Sequence, residues 1–213
     1  MQSCDELLQK NKVWAAKKQK EDPDFFNRLA DKQSPKFLWI GCSDSRVAPE
    51  IVVGAEPGDI FMHRNIANQV IHTDFNCLSV LQYAVSILKV EHIIVCGHYN
   101  CGGIKAALDK QRSDLLITNK WLMHIKNTYR LHQDEIDAFD DQNDRFNRLV
   151  ELNVVEQIHA LSHTSVIQES WRENGGPTLH GWVYGVHDGI ITPMITLKAT
   201  DEINPIFQYR QVK

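Results

Sequence analysis

Apolar and polar positions follow two rhythms along this chain, one of helical period and one of short apolar runs. Residues 3–20 are mostly polar, with Leu7, Leu8, Val13 and Trp14 forming a thin stripe at helical spacing. Asp22-Pro23, an acidic cap before a proline suited to a first helical turn, begins a second helix carrying Phe25, Phe26 and Leu29; Gln33-Ser34-Pro35 breaks it. Phe37-Leu38-Trp39-Ile40 then suits a strand buried on both faces. Glu56-Pro57-Gly58-Asp59 is a turn, and 60–63 reads as a second strand. Thr73 or Asp74 caps a helix running to residue 88, with Leu78, Leu81, Val85 and Leu88 at helical spacing. His92-Ile93-Ile94-Val95-Cys96 is a third buried strand. Helical stretches follow at 115–132 and 144–170, the second closed by Gly175-Gly176-Pro177, and two further strands fall within 179–186 and 190–197.

Strands alternating with helices predict an α/β fold: a mostly parallel central sheet flanked by helices, with a helical arm over 1–33, in one domain spanning 1–213. At 213 residues and 43% hydrophobic content, the chain can bury a core without disulfide staples. A formal net charge of −4 with no basic block argues against a nucleic-acid partner. The longest uncharged stretch, 75–88, is shorter than the ~20 apolar residues a membrane helix needs, so no membrane partner is expected. The opening residues Met1 to Glu6 lack the basic start and apolar run of a secretory leader, which makes the cytoplasm the expected compartment. Six acids between 134 and 144 read as a solvated loop. Five cysteines, an odd number, are expected as reduced thiols or metal ligands.

Two strand ends concentrate the chemistry. Trp39-Ile40-Gly41 runs into Cys42-Ser43-Asp44-Ser45-Arg46, and Val95-Cys96-Gly97 into His98-Tyr99-Asn100-Cys101-Gly102-Gly103. Ligands in open α/β sheets gather beyond the carboxyl ends of strands, so both segments face one crevice. Two thiols, an imidazole and a carboxylate there favour zinc in a tetrahedral site. Cys77 and Cys96, inside a helix and a strand, read as core thiols, and Cys4 lies near a terminus. With Asp44 as fourth ligand the site is closed. Arg46, two residues away, can draw that carboxylate into a two-pronged pair and open the position to water, whose pKa a zinc ion lowers toward ~7. The chain has no Gly-x-Ser-x-Gly elbow, dinucleotide fingerprint or Walker loop, and no glycine-rich cradle suited to a cysteine phosphatase.

Cys42-x-Asp44-x-Arg46 with His98-x-x-Cys101 resembles the pattern of the β-class carbonic anhydrases. The likeness extends through Gln33-Ser34-Pro35, Glu56-Pro57-Gly58, the stretch from His63 to Asn68, Gln82-Tyr83-Ala84-Val85 and His180-Gly181-Trp182, and it runs toward bacterial members. It implies reversible hydration of carbon dioxide to bicarbonate and a proton through zinc-bound hydroxide, with one Zn2+ per chain. By the resemblance, Cys42, His98 and Cys101 are permanent ligands. Asp44 is the fourth ligand of a closed form and, paired with Arg46, the residue that orients the nucleophile in an open one. Gln33, Tyr83, Gly102 and Gly103 are substrate-binding positions, Gln33 acting across a dimer interface. A bicarbonate-regulated subgroup carries counterparts of Trp39, Arg64 and Tyr184 as a non-catalytic bicarbonate site. The resemblance further implies a homodimer or a dimer-of-dimers homotetramer.

One departure is visible: relatives place a proline one residue earlier than Pro49, which bears on the loop holding Asp44 and Arg46. Two other readings use the same residues. One is hydrolysis of a related small substrate such as carbon disulfide. The other is a non-catalytic zinc or thiol regulatory module, which needs neither Arg46 nor Gln33.

Overall fold

A computed structural model describes residues 3–210; Met1 and Gln2, the start of the segment read for a leader, lie outside it. The chain divides into two compact units, Met1–Ser34 and Pro35–Lys213. In the first, helix α1 (Cys4–Glu21) starts in a capping box: Ser3 Oγ accepts from the Glu6 amide, and the Glu6 carboxylate accepts from the Ser3 amide at 3.0 Å. No residue of α1 is buried, and its stripe of Leu7, Leu8, Val13 and Trp14 is exposed. Helix α2 (Phe25–Asp31) starts later than Asp22-Pro23, because Asp22 accepts from the Asp24 amide and pairs with Arg28 while Asp24 takes the cap position. Edge-on contacts join Trp14 to Phe25 and Phe26, with ring centroids 6.2 and 5.8 Å apart.

Among the described residues, the second unit carries a five-stranded sheet: β1 (Phe37–Cys42), β2 (Ile60–Asn65), β3 (His92–His98), β4 (Thr178–Tyr184) and β5 (Ile191–Leu197). Their order is β2-β1-β3-β4-β5, with every pair parallel except β4–β5. The mostly parallel sheet expected from the alternation is present, and its last strand is the antiparallel one. The chain passes from β1 to β2 on one side and returns to β3 on the other. The carboxyl ends of β1 and β3 thus form a topological switch point.

Period-two alternation sorts the side chains. Leu38, Ile40, Ile93, Val95 and Leu179 pack beneath helices with Leu81, Ile158 and Leu161. Trp39, Ile94 and Cys96 point to the opposite face, in a cluster whose members all come from strands. Helix α3 (Pro49–Val53) and helix α5 (Gly102–Leu108) are short. Helix α4 (Phe75–Gln82), capped by Asp74, continues as a π-helical stretch, Tyr83–Leu88, and stops at Lys89 in the left-handed region (φ 56°). Helix α6 (Leu116–Leu131) matches the first long helical stretch.

Two expectations need correction. The stretch 144–170 is two helices, α8 (Gln142–Ser162) and α9 (Ser165–Asn174). They are separated because Thr164 Oγ1 donates to the Leu161 carbonyl and accepts from the Ile167 amide, stopping one helix and capping the next. The acidic run is also more than a solvated loop. It contains helix α7 (Gln133–Asp137), Asp137 accepts from Tyr129 and Arg145, and Asp141 caps α8. No helix of the described residues is long and apolar enough to cross a membrane.

Candidate metal centre

Cys42 is the last residue of β1 and His98 the last of β3. Each strand runs two residues past its apolar run. At Gly41 a side chain would not fit, since a Cβ there would stand 2.7 Å from Trp39 Nε1. Asn100, with φ 58°, makes the tight left-handed step that brings Cys101 back to the first turn of α5. The loop is tied to the sheet where the Tyr99 amide donates to the Tyr184 carbonyl at 3.0 Å.

The donor atoms of Cys42, His98 and Cys101 all lie within 4.8 Å of one another, and all three residues are buried. The two sulfurs are 3.8 Å apart, too far for a disulfide. That separation is what two sulfurs ~2.3 Å from one tetrahedral ion would show, ~3.8 Å. His98 Nδ1 lies 3.0 Å from the Tyr99 carbonyl oxygen; donating there, it leaves Nε2 with a free lone pair. Nε2 is buried and has no protein partner, an arrangement costly unless a ligand completes it. The neighbouring Cys101 thiol lowers the pKa of Cys42, while Cys42 and burial together raise that of Cys101. Two buried sulfurs 3.8 Å apart beside a bare imidazole nitrogen are a donor set that fits zinc.

Asp44 stands beside this cluster, its Oδ2 3.7 Å from His98 Nε2. Its carboxylate accepts from Arg46 at three points: Nε to Oδ1 at 2.9 Å, Nη2 to Oδ2 at 2.7 Å and the backbone amide to Oδ1 at 3.0 Å. Hydrogen bonding to Arg46 holds the carboxyl well below the usual carboxylate range, against the opposing effect of burial. Arg46 Nη2 also donates to the Asn100 carbonyl at 3.0 Å, linking the β1 loop to the β3 loop.

Arg64, on β2, holds the same loop from behind. Nε donates to the Cys42 carbonyl at 2.8 Å, and Nη2 to those of Asp44 and Val47, both at 2.7 Å. Pro49 occupies the first turn of α3, so the shifted proline starts a helix where the loop ends. Trp39 is fully buried, its Nε1 has no protein partner, and its ring meets Trp182 edge-on at 5.9 Å. Strand register puts Trp39, Arg64 and Tyr184 on one sheet face.

A cavity of about 340 Å³ opens at the cluster, lined by Cys42, Ser43, Asp44, Gly102 and Gly103. Its remaining wall, from Ile66, Ala106, Thr118 and Leu122, was not singled out from the sequence. Ile66 lies inside the motif stretch from His63 to Asn68, so a signal for it existed; the other three carry none. A Cβ at Gly103 would meet Ile66 Cγ2 at 2.8 Å, whereas one at Gly102 would meet nothing within 4 Å. Tyr83 is exposed on the π-helical stretch, its ring 5.8 Å from Phe61, and is not among the residues lining this cavity. Gln33 is exposed and belongs to the N-terminal unit. Cys77 and Cys96 are buried, and burial pushes both thiols up to about 12, as suits core residues.

The carbonic anhydrase family model matches residues 37–191. A carbonic anhydrase of Emericella nidulans is 52% identical over 190 residues, covering 89% of this chain and 82% of that protein. A tetrameric β-carbonic anhydrase of Sordaria macrospora has a TM-score of 0.85 and 40% identity, over 90% of this chain and 96% of the other. The Coccomyxa β-carbonic anhydrase solved with acetazolamide has a TM-score of 0.87 and 33% identity, over 92% and 89%. Two of these three relatives are fungal, where the sequence alone points toward bacterial members. Family match, whole-chain similarity and shared fold agree: this chain belongs to the β-class carbonic anhydrases, a family of enzymes.

Proposed function

We propose that this chain catalyses the reversible hydration of carbon dioxide to bicarbonate and a proton, with one zinc ion held by Cys42, His98 and Cys101. The observation that carries the reading is the ionised Asp44 carboxylate, 3.7 Å from the unpartnered His98 Nε2 and braced by Arg46. A bound zinc ion supplies Lewis acidity and brings the pKa of water toward ~7. Asp44 accepts a hydrogen bond from the attacking oxygen and turns its lone pair toward the substrate. Arg46 keeps that carboxylate ionised and fixes its orientation with two parallel N–H···O bonds. Gly102 leaves room for a small linear molecule against the walls of Ile66 and Leu122, while Gly103 lets the helix pack close on Ile66. Gln33 and Tyr83 complete the substrate pocket in an assembly of two or four copies, the Sordaria relative being tetrameric. Sedimentation masses in multiples of 24.5 kDa test that assembly.

The same geometry supports a gate. Released from Arg46, Asp44 is near enough to the cluster to become its fourth ligand and close it. A bicarbonate ion at Trp39, Arg64 and Tyr184 would favour closure by competing for Arg64, which holds the carbonyls of Cys42, Asp44 and Val47. The orphaned Trp39 Nε1 is a donor for the same anion. Stopped-flow carbon dioxide hydration by the zinc-replete chain tests the activity. We expect fast hydration at alkaline pH, lowered on the order of 10²-fold or more by Asp44→Asn, which cannot pair with Arg46 as an anion. No hydration with zinc bound would overturn the reading. Bicarbonate inhibition should weaken in Trp39→Phe; inhibition equal to that of the parent chain would remove the second site.

A further inference from the structure

Arg46, the partner of Asp44, lines a second, larger cavity of about 900 Å³, bounded by α5, α6, α7 and the first turns of α8. Four cationic side chains line it, Arg46, Lys105, Lys126 and Arg145, against one carboxylate, Asp109. The chain as a whole carries a formal charge of −4, so this is a local excess of positive charge on an acidic protein. Two of the cations already hold carboxylates that do not line the cavity: Arg46 pairs with Asp44, and Arg145 with Asp137. The lysines are less committed. Lys126 Nζ donates to the carbonyls of Ala107 and Asp109, which leaves one of its three N–H groups. Lys105 is exposed and its ammonium has no ion-pair or hydrogen-bond partner among the described residues.

Beside these cations the lining is mixed, and part of it is apolar. The apolar floor open to a ligand comes from exposed Leu108 and half-buried Tyr129 and Phe146, with the fully buried Ile125, Ile136 and Leu149 behind them. The volume falls within the ~300–1,000 Å³ typical of small-molecule clefts. A wholly polar ligand would leave that floor unused, and a neutral one would leave the ammonium groups unpaired. We propose that this cavity binds a small organic anion, its apolar body on Leu108, Tyr129 and Phe146 and its carboxylate or phosphate head on Lys105 and Lys126. Arg46 lines this cavity while its partner Asp44 lines the one at the cluster, so an anion here competes with Asp44 for the same guanidinium. Occupancy therefore disfavours the Asp44–Arg46 pair and slows hydration. The coupling rests on the role given to Asp44 and Arg46 above; the binding does not.

Calorimetric titration of the zinc-loaded full chain with phenyl phosphate tests the site, with benzoate as a second head group and benzyl alcohol as the neutral control. The expected result is one saturable site, at least tenfold weaker in Lys105→Glu and unchanged in Lys120→Glu, an exposed lysine of α6 outside the cavity. Lys105→Gln should weaken it less than Lys105→Glu, and benzyl alcohol should bind at least tenfold more weakly than phenyl phosphate. Absence of saturable binding, or equal binding by the parent chain and Lys105→Glu, would overturn the proposal. So would binding that vanishes on zinc removal while ignoring Lys105→Glu, since the anion would then sit on the metal. Hydration slowed by phenyl phosphate in the parent chain but not in Lys105→Glu supports the coupling; Lys105-dependent binding without slowing overturns it. Lys105-dependent binding by a chain that hydrates no carbon dioxide would refute the function proposed above and leave this site standing.

Discussion

His98 has one ring nitrogen on the Tyr99 carbonyl and the other, buried and unpartnered, among two thiols, so its chemistry follows from what surrounds it. The five cysteines divide in the same way. Cys4 is exposed; Cys42 and Cys101 belong to the cluster; burial pushes Cys77 and Cys96 up to about 12. At pH 8, well below that value, the two core thiols stay protonated and poorly nucleophilic. Alkylation by iodoacetamide read by mass spectrometry should therefore label Cys4 with or without zinc, spare Cys77 and Cys96 in both states, and label the Cys42–Cys101 pair only after zinc removal. Labelling of that pair at equal rates in both states would mean these thiols do not hold the ion. The residues that meet here were legible in the sequence because each pair is local: Cys42 to Asp44 and His98 to Cys101 span one loop apiece. Arg64 was singled out in the sequence as an anion-site residue, by resemblance, and not as a support of the Cys42 loop. Its three bonds to the Cys42, Asp44 and Val47 carbonyls are contacts from a neighbouring strand, and residue spacing carries no trace of them.

At the scale of elements, buried parallel strands were easy to recognise because they are short runs apolar on both faces; β3 is buried along all but its first residue. Short helices were not. Pro49–Val53 spans too few residues to show a period, and α5 showed only its glycine pair. That pair has two physical roles. Gly103 packs against Ile66 and Ala67, where a Cβ would come within 2.8 and 3.2 Å of side-chain carbons, whereas Gly102 faces open space. Gly103→Ala should destabilise the chain by ~1–3 kcal/mol through overpacking, lowering the melting temperature on the order of 5 °C. Gly102→Ala should leave that temperature within ~1 °C, since a surface-like position away from special features costs little. Equal melting temperatures for both variants would contradict the packing role of Gly103. The break between α8 and α9 was hidden for a related reason. Thr164 can end a helix or sit within one, and its bonds to Leu161 and Ile167 select the former.

For the whole molecule, the strand order matters most. Placing β1 centrally between β2 and β3 brings two loops, separated by more than fifty residues, to one crevice. The core clusters of the sheet unit draw only on residues after Ser34, so that unit has a core of its own. A chain lacking residues 1–34 should therefore unfold in one cooperative transition and bind one zinc ion, its helical far-ultraviolet signal per residue falling slightly because the removed unit is mostly helix. If Gln33 contacts substrate, hydration should fall roughly tenfold, the equivalent of one hydrogen bond of ~1.4 kcal/mol. Loss of zinc together with activity would instead place the first unit in the stability of the metal centre.

The sequence by itself determined the alternation of strands and helices, the position of the buried strands and the two short motifs whose residues cluster at the strand ends, because each depends on residues a few positions apart. Tertiary structure alone decided how closely the two loops approach, that Asp44 is turned to Arg46, that Arg64 holds the carbonyls beneath them, and that four cations line a cavity over an apolar floor. Those features depend on distances through space between strands and helices far apart in sequence, which strand order and helix packing set and local spacing does not encode.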